Sequence, residues 1–121
     1  MIGIGTDLVE LDRFRQALAR TPTLADRVFT DDERAYAAQR PDPTERLAAR
    51  FAAKEAVMKA MGVGLGAFSL HEVEVVRADS GAPCLELRGA AAALAAERGV
   101  TRWLLTLTHT ERVAQAIAVA L

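Results

Sequence analysis

Residues 2–9, Ile2-Gly3-Ile4-Gly5-Thr6-Asp7-Leu8-Val9, alternate large apolar and small positions before turning polar. A period of two predicts a strand. Glycines inside such a strand mark a backbone that another element approaches closely. The period then lengthens: Leu11, Phe14 and Leu18 recur at helical spacing, with Arg13, Gln16 and Arg20 opposite, until Thr21-Pro22 ends the helix. Thr30-Asp31-Asp32-Glu33 has the spacing of a capping box and opens a helix that ends before Pro41. Asp42-Pro43-Thr44-Glu45 offers an acid at N-cap, proline at N1 and glutamate at N3. From there residues 44–61 contain no glycine or proline, and Gly62 supplies the stop. Leu47, Phe51, Met58 and Met61 form a stripe on this helix, and six alanines between 48 and 60 let neighbouring backbones come close. These features predict the central helix of the fold.

Beyond the loop Gly62-Val63-Gly64-Leu65-Gly66 the alternation returns. Residues 72–77 and 84–87 flank Asp79-Ser80-Gly81 as a hairpin, and residues 90–98 read as an alanine-rich helix closed by Gly99. Residues 103–108 and 113–121 read as two strands around His109-Thr110-Glu111-Arg112. The expected class is α+β, a mainly antiparallel sheet packed with one long helix. With 121 residues the chain has the size of one domain, 1–121, able to bury about two-thirds of its unfolded surface.

Composition narrows the function. A formal net charge of −1 and only six aromatic residues argue against a nucleic-acid partner, which would call for a basic excess or a stacking platform. The single cysteine, Cys84, rules out an intrachain disulfide, suits a reducing compartment, and reads as a small buried strand residue because no nucleophile motif surrounds it. The first residues lack the basic region of a secretory leader and carry Asp7, and no apolar run approaches the ~20 residues of a membrane helix. A soluble cytoplasmic protein without a membrane partner is expected. One bias is local: of 15 basic residues only Lys54 and Lys59 are lysine, five positions apart. Lysine is a compact charge where arginine is a planar fork.

Three residues are unusual for a structural core alone. Asp7 ends an apolar strand, Glu55 lies among alanines mid-helix, and His109 terminates an apolar run. Singly each has a structural reading: Asp7 as a helix cap, Glu55 as the i,i+4 partner of Lys59, His109 as a loop residue. Together they suggest a cation held between two carboxylates, which would otherwise repel. An all-oxygen set with room for substrate phosphates suits magnesium. Lys54 and Lys59 flank Glu55 and could neutralise those phosphates. The glycine loop matches neither of the common phosphate-loop fingerprints.

Three motifs occur in order: Ile4-Gly5-Thr6-Asp7-Leu8-Val9-Glu10; Arg50-Phe51-Ala52-Ala53-Lys54-Glu55-Ala56-Val57-Met58-Lys59-Ala60-Met61-Gly62; and Thr106-Leu107-Thr108-His109-Thr110. Together with the Gly81-x-Pro83 turn they resemble the holo-acyl-carrier-protein synthase family, small 4'-phosphopantetheinyl transferases, over essentially the whole chain. The resemblance implies a homotrimer with coenzyme A bound in clefts between subunits. It implies that Asp7 and Glu55 hold magnesium, or manganese, that Lys59 lies near the phosphates, and that Arg50, Gly64 and His109 contact the nucleotide. It places Arg13 and Arg20 against an acidic acyl carrier protein; residues 13–27 hold four arginines and one acid. It makes Asp7, Glu55 and Lys59 the catalytic set, with Glu55 the candidate acceptor of the carrier serine's proton. Thr110 stands where many relatives carry an acid. The rivals are a coenzyme A-binding trimer without transfer and a metal-dependent phosphohydrolase.

Overall fold

A computed structural model describes all 121 residues. Strand β1 (Gly3–Glu10) passes without a loop into α1 (Leu11–Arg20), which turns Leu11 and Phe14 inward. A one-turn helix α2 (Leu24–Val28) follows, then α3 (Asp31–Ala37). The expected capping box is formed: Thr30 Oγ1 accepts from the Glu33 N–H at 3.2 Å, and Glu33 Oε1 accepts from the Thr30 N–H at 3.0 Å. Helix α2 has no counterpart among the expected elements. Its five residues are too few to show a helical period, and they begin two positions after Pro22.

The central helix α4 (Thr44–Ala60) starts one position later than its cap signals suggest. Pro43, not Asp42, is the N-cap residue. Asp42 still serves the helix start, accepting the Thr44 N–H at 3.0 Å. Thr44 and then Arg15 hold its carboxyl down at about 2. At the other end Met61 is the C-cap and Gly62 takes φ +72°, the left-handed conformation that glycine adopts most readily.

A 3₁₀ turn (Leu70–Glu72) leads into the hairpin β2 (Val73–Arg77) and β3 (Pro83–Leu87). Cys84 lies on β3 as expected but is exposed rather than buried, because it falls on the outer side of the strand's alternation. Helix α5 (Gly89–Glu97) and the strands β4 (Trp103–His109) and β5 (Val113–Ala120) complete the chain. The main sheet is antiparallel in the order β1-β5-β4, and β2-β3 is a separate antiparallel pair. This is the α+β architecture expected. No helix is long and apolar enough to cross a membrane.

Small residues bring sheet and helix together. On β5, Ala114, Ala116, Ala118 and Ala120 are wholly buried, and on α4 so are Ala48, Ala52, Ala53 and Ala56. Gly3 and Gly5 complete the seam: a Cβ on either would stand 1.9 Å from the carbonyl oxygen of Ala60 or Ala56, respectively. The alanine content therefore builds backbone-to-backbone contact rather than merely favouring helix. Close packing of this kind tolerates almost no added volume. The other sheet face is open, with Ile4 60%, Leu8 59% and Leu104 50% exposed.

Candidate active site

Strand periodicity determines where Asp7 points. Gly3, Gly5 and Asp7 share the face of β1 turned to α4, because successive strand side chains alternate faces. The glycines bring the strand against the helix, and Asp7 is the first residue in that row with a side chain to project along it. On α4, Glu55 and Lys59 are one turn apart and lie on the same face. The expected alternatives for these residues are not what forms. Asp7 caps nothing, since α1 starts at Leu11 with no side-chain cap. Lys59 reaches across to the strand, donating to the Thr6 carbonyl at 3.0 Å and to Asp7 Oδ1 at 3.2 Å.

Glu55 is left beside that pair, half-buried and without a hydrogen-bond partner of its own among the side chains. Burial first, and then the Asp7 charge, push its carboxyl above the ordinary value of 4.5, with Lys59 opposing. A carboxylate raised by its neighbour gains from a cation placed between the two. The protein supplies two carboxylates here and no cluster of three potential metal-ligating side chains. That donor set fits a hard cation that keeps waters and shares substrate phosphates, and does not fit a closed all-protein cage.

Asp7 and Glu55 open onto a cleft of about 470 Å³ between β1, α1 and α4. Arg13 and Arg20, spaced seven apart on α1, line the same cleft. Its apolar wall includes Phe14 and Phe51, whose ring centroids are 5.3 Å apart. Glu10 also lines it, a third acid that sequence reasoning did not single out although it stands three residues beyond Asp7.

The remaining expected residues lie outside the cleft within the subunit. Arg50 is 5% exposed and stacks over Tyr36 on another side of α4. His109 ends β4 with Nδ1 3.3 Å from Glu45 Oε2. Gly64 is exposed in the loop after α4, and nothing lies within 4 Å of where its Cβ would be.

Lys54 corrects the reading of the two lysines as a phosphate-binding pair. It is 0% exposed, and its Nζ donates to Glu33 Oε1 at 2.8 Å, to the Leu70 carbonyl at 3.0 Å and to the Val73 carbonyl. The second oxygen of Glu33 accepts the Val75 N–H at 2.9 Å. Burial pushes the Lys54 ammonium downward and Glu33 opposes it. This lysine ties α3, α4 and the β2 strand together. The three donors of an ammonium satisfy a carboxylate and two carbonyls at once, which a planar guanidinium fork is not shaped to do.

The sequence model of the 4'-phosphopantetheinyl transferase superfamily matches residues 3–118. The chain belongs to that family. A holo-[acyl-carrier-protein] synthase of Salinispora arenicola is 49% identical over 120 residues, covering 99% of this chain and 98% of the relative. Among solved structures, the holo-[acyl-carrier-protein] synthase of Neisseria meningitidis superposes with a TM-score of 0.90 at 34% identity, covering 99% of this chain and 98% of the other. A holo-(acyl-carrier-protein) synthase from Bacillus anthracis, solved in complex with CoA (3',5'-ADP), does so at 0.81 and 33% identity, covering 98% and 95%. The phosphopantetheinyl transferase fold thus accounts for both sheets and the central helix.

Proposed function

We propose that the cleft between β1, α1 and α4 is where the chain transfers the 4'-phosphopantetheine group of coenzyme A to a serine of apo-acyl carrier protein. The products are holo-acyl carrier protein and 3',5'-ADP. The observation that carries the reading is the convergence of two carboxylates and two arginines from β1, α4 and α1 in one opening, with Lys59 of α4 bonded to Asp7 at its edge. A pure binding module has little use for a repelling carboxylate pair.

Serine Oγ forms a bond to the β-phosphorus, and the pyrophosphate P–O bond breaks to release 3',5'-ADP. Asp7 and Glu55 would hold magnesium, or manganese, and the cation would supply charge neutralisation for the pyrophosphate. Lys59 is 54% exposed, free to swing from Asp7 toward the phosphates. Glu55, whose carboxyl is raised by burial, is suited to take the serine proton. Arg13 and Arg20 seat the acidic carrier at the mouth of the cleft, which aligns the nucleophile.

The open sheet face supports a homotrimer, since Ile4, Leu8 and Leu104 are each at least half exposed on one side of β1-β5-β4. Assembly buries that face and lets Arg50, Gly64 and His109 of one copy meet the nucleotide held at the carboxylates of the next. We place this single 1–121 domain in the cytoplasm, serving fatty-acid or polyketide carriers. The test is intact mass spectrometry of an apo-acyl carrier protein after incubation with the protein, coenzyme A and magnesium. A phosphopantetheine-sized gain, lost with chelator and with Glu55→Gln, is the expected result. No gain on several carriers, despite bound coenzyme A, would leave a binding protein instead.

A further inference from the structure

Lys59 passes over the partner that helix geometry offers it. Glu55 stands one turn before it, the order that favours an i,i+4 pair on a helix surface, yet the ion pair that Lys59 forms is with Asp7. Its Nζ crosses to β1 and donates to the Thr6 carbonyl at 3.0 Å and to Asp7 Oδ1 at 3.2 Å. The Asp7 side chain is 18% exposed and that of Lys59 54%, so the lysine is the mobile member. Burial and then the Asp7 charge raise the Glu55 carboxyl, and Lys59 offsets them only in part.

One ammonium thus serves a pair of carboxylates that needs charge on both. With both ionised, the three groups together carry a net negative charge. A divalent cation between Asp7 and Glu55 reverses that sign and leaves the ammonium surplus to the carboxylates. Little holds Lys59 back. Its bonds go to a main-chain carbonyl and to one carboxylate oxygen, and at this exposure an ion pair is weak. Its flexible stem also lines a neighbouring hollow of about 360 Å³ bounded by Ile4, Met61 and Arg98, which leaves the side chain room to move.

We propose that Lys59 is a resident counter-ion of the carboxylate pair, exchanged for the divalent cation and passed on to the phosphates of the substrate. The phosphate half of this exchange rests on the function proposed above. Before metal arrives, the ammonium neutralises Asp7 and limits its repulsion with Glu55. When a cation takes that place, Lys59 gives up Asp7 and offers its charge to phosphoryl oxygens at the same opening. Lys59 is thereby a positioning residue as well as a phosphate contact, because it couples two binding events so that each favours the other. A phosphate compound that comes without metal meets a lysine already engaged.

The chain's two lysines make the exchange readable. Lys54 is 0% exposed, so Lys59 is the one ε-amine open to solvent. Amine labelling read by mass spectrometry reports its freedom, with the amine of the exposed Met1 as the control for reagent chemistry. Magnesium alone should speed labelling of Lys59 relative to Met1, and magnesium with inorganic pyrophosphate should slow it again. Manganese(II) binding, followed by its paramagnetic resonance signal, gives a second readout. Lys59→Met, folded by circular dichroism, should bind manganese about two- to fivefold more tightly, since the competing ion pair it removes is an exposed one. The same variant, saturated with manganese, should hold pyrophosphate about tenfold more weakly, the scale of one charge-assisted hydrogen bond. Opposite changes from one substitution are not produced by a lysine that only supports the fold. Labelling indifferent to magnesium, or manganese bound no more tightly by Lys59→Met than by wild type, would overturn the exchange. Both signatures present, but with no transfer to any carrier, would sink the proposed function and leave the exchange standing.

Discussion

Replacing Lys54 by methionine separates a structural from a phosphate-binding role for the first lysine of the central helix. Methionine keeps most of the length and removes the charge. The Glu33 carboxylate would remain wholly buried with its two backbone N–H donors from Thr30 and Val75, while the Leu70 and Val73 carbonyls lose their ammonium partner. Removing one member of a buried ion pair costs about 3–5 kcal/mol because the other charge stays uncompensated. With an unfolding entropy of roughly 2.1 cal/mol/K per residue, 121 residues turn that loss into a fall in Tm of about 12–20 °C. Lys59→Met, by contrast, breaks a bridge whose lysine is 54% exposed, worth at most about 1 kcal/mol. Calorimetric melting and carrier transfer at a temperature where both variants are folded give the two readouts. Lys54→Met should lose stability and keep turnover, and Lys59→Met should do the reverse. A Lys54→Met protein as stable as wild type but inactive would refute the reasoning and return Lys54 to the phosphates.

Three further outcomes follow from the geometry. Glu55 has a raised folded pKa, so the folded state binds more protons than the unfolded chain above pH 4.5; without divalent metal, stability should decline as pH rises through that window and then level. Glu55→Gln should flatten this part of the pH–stability curve and abolish stabilisation by magnesium; an unchanged slope would show that Glu55 is not the group responsible. Gly5→Ala places a Cβ 1.9 Å from the Ala56 carbonyl oxygen, and urea unfolding should show a loss of at least about 3 kcal/mol, whereas a near-neutral result would mean the seam is not tight. Ile4→Glu, on the open sheet face, should leave the subunit folded by circular dichroism but shift sedimentation from the proposed trimer to monomer; a variant that sediments as wild type does would count against an interface on this face.

Legibility in the sequence followed the length and regularity of each pattern. The central helix and the strands were readable because alternation, caps and glycine stops agree over many residues, as with Thr30-Glu33 at the start of α3 and Gly62 after α4. The five residues of α2 carry no such pattern. The pairing of Asp7 with Lys59 across β1 and α4 was readable only as a resemblance, since 52 residues separate the partners and local spacing is blind to that distance. The misreading of Lys54 has the same origin. Residues 54, 55 and 59 look like one charged group in the sequence, but successive helical positions turn about 100° apart, and Glu33 on α3 claims the buried one. Likewise nothing local announces that Tyr36, Arg46, Arg50 and Arg77 meet.

The glycine and alanine seam between β1, β5 and α4 has a consequence for how the site can vary. Asp7 and Glu55 are mounted on main chains whose separation is set by atoms in direct contact, with no intervening side chain to repack. A layer of leucines can absorb a mutation by changing rotamer, but a layer of bare backbone cannot. Any enlargement along the seam must therefore lift the strand from the helix and widen the gap between the two carboxylates in the same movement. In this part of the molecule a drifting sequence cannot exchange stability for activity, because one distance governs both.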